Sequence, residues 1–421
     1  MFETETVSRL DPDSIRSEFP ALAQTVKGQP AAFLDGPGGT QVPQRVIAAI
    51  SDYLRTNNAN TGGAYPTSRS TDQMIQMARA AMADFLGCDA EEIVFGPNMT
   101  SLTFAMSRAI GRELAAGDEI VLTRLDHDAN IAPWRALEER GAIIRMVDIE
   151  EEDCSLDLHD LERTITTRSK LVAFGYASNA VGTINPVQQI VRQAHHHGAL
   201  AYVDAVHYAP HGPIDVRALD CDFLVCSTYK FFGPHMGVLY GKRCHLERLQ
   251  PYKVRASSNA VPNRWEWGTL NHELLAGIPA CVEYWADLGR QFGASLTARR
   301  PALLAAYAAI QKHERELIAR LIPGLLKIPG LTLYGIRDPK RLDQRCPTVA
   351  VRIQGHTPLE LAARLGERGI FCWDGNYFAL NLTERLGVEK DGGFLRIGPV
   401  HYNTGEEIER LLTALENIVR G

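Results

Sequence analysis

No stretch of this 421-residue chain stays apolar for the roughly 20 positions that a membrane-spanning helix needs. An excess of one charge is missing as well. The 44 Lys and Arg stand against 50 Asp and Glu, a net charge of -6, which gives no reason to expect nucleic acid or an anionic membrane as partner. Paired cysteines are absent: the eight present are scattered, with no CxxC pair, as suits reduced core thiols in a cytoplasmic protein. The opening "MFETETVSRLDPDS" has neither a basic start nor an apolar core, so no signal peptide is expected. Repeats and low-complexity segments are not visible. The glycines of "LDGPGGTQVP" lack the Lys-Ser/Thr and strand-to-helix context of a phosphate-loop or dinucleotide fingerprint and read as a tight turn. "HHH" at 195–197 does not suggest a metal, because consecutive helical residues point about 100° apart and histidines suit a helix C-terminus. No metal site is expected.

What is present is an ordinary globular composition, 45% apolar and 22% charged, in a chain long enough for two domains. Between about residues 85 and 245, short β-rich runs alternate with helical stretches. The runs are "IVFG", "EIVLTRL", "IIRMVDI", "LVAFGYAS", "LAYVDAV", "FLVCSTY" and "GVLYGK". They are almost continuously apolar, as in strands covered on both faces, and predict a mainly parallel seven-stranded α/β sheet flanked by helices. "VQQIVRQAHHHG" (187–198) is a crossover helix with a terminal Gly stop. Beyond residue 285 come a long helix near 300–325, strands "LTLYG" and "PTVAVRIQ", a helix in "TPLELAARLGERG" and a final helix "TGEEIERLLTALENIVRG". This part reads as a smaller α+β domain over 286–421, joined by the segment 1–29, with the large domain spanning 30–285.

Ligands of such sheets collect at the carboxyl ends of the strands. Those ends read "GPNMTS", "LDHDAN", "YASNAVGT", "VDAVH" and "STYK", each polar where simple turn chemistry would have sufficed. Lys230 sits where the sixth run breaks, and a desolvated lysine loses its charge readily and becomes a nucleophile. One ligand accounts for the whole set: pyridoxal 5′-phosphate, an aromatic phosphorylated aldehyde. Lys230 would condense with the aldehyde and carry the substrate Cα proton. Asp204 would pair with the pyridinium nitrogen, and His127 would stack on the ring. Asn179 and His207 would bond the phenolic oxygen. Met99 and Thr100, at a helix start, would hold the phosphate, with Ser227 adding a bond. Taken singly, Asp204 and His127 also read as helix caps, and Asn179, His207 and Ser227 as turn residues.

The ordered motifs "DHDANIAPW", "SNAVGTINP", "VDAVH" and "STYKFFGPHMGVLYGK" resemble the class V aminotransferase family, most of all its cysteine desulfurase-like branch. The likeness runs from "EFPALAQTVKGQPAAFLDGPGGTQVP" to "RIGPVHYNTGEEIERLL". It implies fold type I and a homodimer acting on a small amino acid. A threonine from the other subunit, Thr269 here, would complete the phosphate site. Arg396 would hold the substrate carboxylate. "NTGGAYPTSRST" matches a family loop near the substrate and makes Tyr65 and Arg69 candidates, although both also read as plain loop residues.

One departure matters. Cysteine desulfurases take sulfur onto a cysteine carried by a loop of the small domain. In the matching stretch, "GIFCWDGNYFALNLTERLG", that position is Phe378, flanked by Asn376 and Tyr377, while Trp373 stands where an arginine is common. Tyr229 replaces the usual residue before the lysine. Cys372 falls within the strand-like "GIFCW" and reads as a structural thiol. A phenyl ring cannot form a persulfide. The expectation is therefore β-elimination of the C–S lyase type, with aminotransferase, epimerase or an inactive cofactor-binding scaffold as alternatives.

Overall fold

The computed structural model describes residues 10–293 and 297–421. All seven apolar runs become strands of one sheet: β1 (Ile93–Gly96), β2 (Glu119–Thr123), β3 (Ile143–Val147), β4 (Ser169–Gly175), β5 (Leu200–Asp204), β6 (Phe223–Ser227) and β7 (Gly237–Gly241). Their order is β1-β7-β6-β5-β4-β2-β3. Only β7 runs against its neighbours. β1, β2, β6 and β7 are buried throughout, whereas the edge strand β3 is only partly covered. That difference is why its sequence tolerates Arg145.

Helices α1 (Gln44–Thr56), α2 (Pro66–Leu86), α3 (Met99–Ile110), α4 (Val187–His196), α5 (His272–Arg290) and α6 (Arg299–Leu325) follow in chain order. The first large core gathers residues of α2, α5 and the first half of α6, including Phe85, Trp285 and Tyr307. A second core lies under a four-stranded antiparallel sheet of β8 (Leu331–Tyr334), β9 (Val349–Ile353), β10 (Trp373–Gly375) and β11 (Phe394–Ile397), ordered β8-β9-β11-β10. Helices α7 (Pro358–Gly366) and α8 (Gly405–Arg420) cover it with Leu361, Leu365, Ile408 and Leu411. Both helices begin with a capping box, Thr357 with Glu360 and Thr404 with Glu407, which satisfies backbone donors that the helix itself leaves open. α6 runs from one core into the other: Ala302–Ile310 pack in the first and Leu317–Leu325 in the second. The N-terminal stretch touches both parts. Phe19 is buried against Phe232 and Tyr284, and Arg16 bonds Glu407 of α8 at 3.0 Å.

Two local readings change. "GIFCW" is not one strand: Ile370–Phe371 pairs with Ala32–Phe33, whereas β10 pairs with β11, and Cys372 lies at the switch between the two partners. The segment that His127 would cap as a helix is broken into Asp128–Asn130, Ala132–Arg135 and Ala136–Arg140. Among the described residues no helix is long and apolar enough to cross a membrane. His195 has a structural role at the end of α4, where its Nε2 bonds Asp222 at 2.8 Å.

Candidate active site

The carboxyl ends of β4, β5 and β6 face a cleft of about 350 Å³, closed on the other side by β10, β11 and the loop between them. Lys230 ends a single turn after β6 and lines the floor. Its Nζ donates to the carbonyl oxygens of Pro37 and Gly38. Desolvation brings the amine from its ordinary 10.5 down to about 7; Arg396 adds to the shift, and Asp204 and Asp35 oppose it. The turn holding those carbonyls needs a glycine, because a Cβ on Gly38 would meet the Trp373 ring at 2.5 Å. The tight turn read in "LDGPGGTQVP" is therefore part of the cleft.

Asp204 is the last residue of β5, between Gly175 of β4 and Val225 of β6. Its Oδ1 accepts the Val206 N–H at 2.9 Å. Burial raises its carboxyl to about 6, against that hydrogen bond and the charge of Lys230. His127 caps the turn after β2, and its Nδ1 accepts the Ala129 N–H at 3.0 Å. Burial takes this ring down to about 4, helped by Lys230 and Arg396. It is neutral at pH 7, with its proton on Nε2.

At the N-terminus of α3, Asn98 caps the helix through the Ser101 N–H at 2.8 Å. Met99 and Thr100 reach the cleft, and the Met99 N–H donates to Ser227 Oγ at 3.1 Å. Ser227 thus supports the helix start from below. Gly237 of β7 permits this approach, since a Cβ there would lie 2.4 Å from the Asn98 carbonyl carbon.

The facing wall is built on Arg396 of β11. Its Nη1 donates to Asn179 O at 2.9 Å, and its guanidinium lies 4.0 Å from the centre of the Tyr377 ring. Asn179 Nδ2 in turn donates to Tyr377 O at 2.8 Å. Tyr377 and Phe378 both adopt left-handed backbone, φ 56° and 58°, a conformation costing about 1–2 kcal/mol per residue. The strain is held by the Tyr377 hydroxyl, which lies within donating reach of Trp373 O and Phe394 O and shares its one proton between them, and by the Asp128 N–H, which donates to Phe378 O at 2.6 Å. Phe378 stacks on His127, with ring centres 5.3 Å apart, and stays 68% exposed at the mouth.

Eight expected residues therefore meet in one cleft: Met99, Thr100, His127, Asn179, Asp204, His207, Lys230 and Arg396. Thr269 does not; it is exposed beside a second cavity with Gly96, Trp265 and Trp267. Tyr65 and Arg69 are exposed at the start of α2, outside the cleft. Three acids were missed: Asp126 and Asp374 in the cleft lining and Asp35 near it. Asp126 lines the cleft, held by Thr123 and by Asn130 Nδ2 at 3.0 Å, and burial lifts its carboxyl to about 7. Asp35, beside the Pro37–Gly38 turn, is lifted by burial to about 6. Nothing in "LDHDAN" or "LDGPGG" separates Asp126 and Asp35 from ordinary capping and turn aspartates.

The model of the "Aminotransferase class-V" family matches residues 32–411. This chain belongs to the class V aminotransferase family. A cysteine desulfurase of Pectobacterium atrosepticum is 32% identical over 97% of this chain and 98% of its own length. A probable cysteine desulfurase of Halalkalibacterium halodurans is 32% identical over 96% of each chain. Among solved structures, the apo cysteine desulfurase from Thermococcus onnurineus superposes with a TM-score of 0.87 at 26% identity, covering 99% of this chain and 100% of that one. A cysteine desulfurase from Escherichia coli gives 0.83 at 25% identity, covering 98% and 99%. The class V fold here is fold type I, and the protein is a pyridoxal 5′-phosphate-dependent enzyme. Its cleft suits that group: Asn179 Oδ1 and Arg396 Nε are buried without hydrogen-bond partners, a helix N-terminus stands ready for phosphate, and the lysine is partly discharged.

Proposed function

We propose that the enzyme removes the Cα proton of a small amino acid bearing a sulfur substituent and expels that substituent, without an enzyme persulfide. The observation that carries this reading is Phe378 at the strained loop tip, together with the absence of any cysteine from the cleft lining among the described residues. Cys372 is the nearest thiol in sequence, but it is half-buried against the second core and burial raises its pKa. A thiol held protonated in that position is a poor nucleophile.

Pyridoxal phosphate, when bound, supplies an electron sink for the carbanion formed at Cα. Lys230, whose amine burial makes easier to deprotonate, would take the proton from Cα. Asp204, fixed by the Val206 N–H, would provide a negative charge for the cofactor's ring nitrogen. Met99 and Thr100 would hold the phosphate, Asn179 and His207 the phenolic oxygen, and neutral His127 the ring face. Arg396, positioned by Tyr377 and Asn179 O, clamps the substrate carboxylate. The Cβ–S bond then breaks with its electron pair leaving on sulfur, which takes up a proton. Hydrolysis of the remaining fragment gives pyruvate and ammonia.

With cysteine or a cysteine conjugate, product analysis should show pyruvate rather than alanine, and mass spectrometry should find no persulfide on any of the eight cysteines. Alanine as the main product would overturn this reading, as would a keto acid accompanied by the amine form of the cofactor. The reading extends to a cytoplasmic homodimer. Thr269, Tyr65 and Arg69 are exposed away from their own chain's cleft, so a second copy is required for them to act. Light scattering at assay concentration should give a dimer, and a fully active monomer would refute it.

A further inference from the structure

Beside His207, which lines the cofactor cleft, lie two side chains that the reaction above does not use, His211 and Cys346. One ring nitrogen each of His207 and His211 and the thiol of Cys346 lie within 4.8 Å of one another. The three residues are 5%, 4% and 2% exposed. They come from separate parts of the chain: the histidines from the loop after β5, the cysteine from the segment leading into β9. No short motif joins them, so their meeting is a product of the fold.

Two further observations point to a ligand. His207 Nε2 is buried without a hydrogen-bond partner, and an orphaned buried nitrogen costs about 1–3 kcal/mol. His211 is oriented from behind, since its Nδ1 lies 2.9 and 3.0 Å from the two carboxylate oxygens of Glu314 on α6. This contact places a proton on Nδ1 and leaves Nε2 as the nitrogen with a lone pair. A carboxylate behind a histidine is the usual outer support of a metal-binding imidazole. A small void of about 30 Å³ beside His211, Glu314 and Cys346 is large enough for one water, which needs roughly 10–15 Å³.

We infer that His207, His211 and Cys346 form a transition-metal site that takes Zn²⁺, with a water as fourth ligand and Glu314 positioning His211. Two imidazoles and a thiolate suit a borderline cation and not Mg²⁺ or Ca²⁺. Zn–N near 2.0–2.1 Å and Zn–S near 2.3 Å place tetrahedral ligands roughly 3.3–3.6 Å apart, so binding draws the three side chains slightly together. The metal displaces the thiol proton to solvent and undergoes no redox change. It ties the loop that follows Asp204 and carries His207 to the segment that enters the small sheet.

The test is metal content, which needs no turnover. Holoenzyme incubated with Zn²⁺, desalted and analysed by plasma mass spectrometry should retain about one zinc per chain. Retention should be lost in His211→Ala and Cys346→Ser and kept in Cys88→Ser. Equal retention in all four proteins, or none in the wild type, overturns the site. Should the buried substitutions prevent folding, Co²⁺ loaded into the wild type decides: intense long-wavelength bands of a tetrahedral thiolate complex support the site, and the weak spectrum of octahedral Co²⁺ overturns it.

Discussion

The two walls of the cleft follow different rules. The floor, beyond the ends of β5 and β6, holds the residues that the class V resemblance leads one to expect, Asp204 at the end of β5 and Lys230 at the end of the turn that follows β6. The facing wall, from Trp373 to Arg396, keeps the arginine but puts Trp373, Asn376, Tyr377 and Phe378 where a sulfur-accepting loop would carry other groups. The floor is set by backbone register and desolvation, with Arg396 of the opposite wall adding to the shift of Lys230. The loop is set by two left-handed residues and a few hydrogen bonds. A wall held by so few bonds can change its side chains while the floor stays intact, and the proposed function rests on that wall, the roof of the cleft.

The sharpest way to break this comparison is Lys230→Ala. Turnover should fall by about 10²–10⁴ or more, and borohydride reduction of the wild type should fix the cofactor to Lys230; a modified lysine elsewhere would end the assignment of the floor. Asp204→Asn should keep cofactor but slow exchange of the substrate Cα proton by on the order of 10²-fold or more. Exchange at the wild-type rate, followed by NMR, would show that Asp204 is not the ring partner.

Arg396→Gln tests where floor and roof meet. Loss of a charge-assisted bond of about 1.5–3 kcal/mol should raise KM for the amino acid roughly 10- to 100-fold while kcat moves less. The pH dependence also follows. Lys230 titrates near 7, desolvation being the main cause and Arg396 the next, so its neutral fraction grows as pH rises through 7. Capture of pyridoxal phosphate by the apoprotein should grow with it. In Arg396→Gln the lysine regains affinity for its proton and the rise should move to higher pH; an unmoved profile would separate the two walls electrically. The smallest effect is expected for Cys372→Ser, less than about twofold in rate, because this thiol packs against the second core and does not line the cleft. A large loss, with alanine as product in the wild type, would mean that the roof performs persulfide chemistry by another route.

From the sequence alone, the seven strands of the large sheet could be read, because strands buried on both faces must be continuously apolar and turns must interrupt them. Strand ends then narrowed the candidates to a short set, and seven of them meet in the cleft; Arg396, the eighth, came from the family resemblance. The order of the strands does not follow from any local run, since β7 inserts between β1 and β6 through pairing alone. The same holds for Cys372, whose flanking residues divide between two sheets, and for Asp126 and Asp35, whose raised pKa values come from burial that no neighbouring residue announces. Residue types and their spacing determined which groups could do chemistry. Only the tertiary structure decided which of them lose water, because desolvation depends on what folds over a side chain from distant parts of the chain.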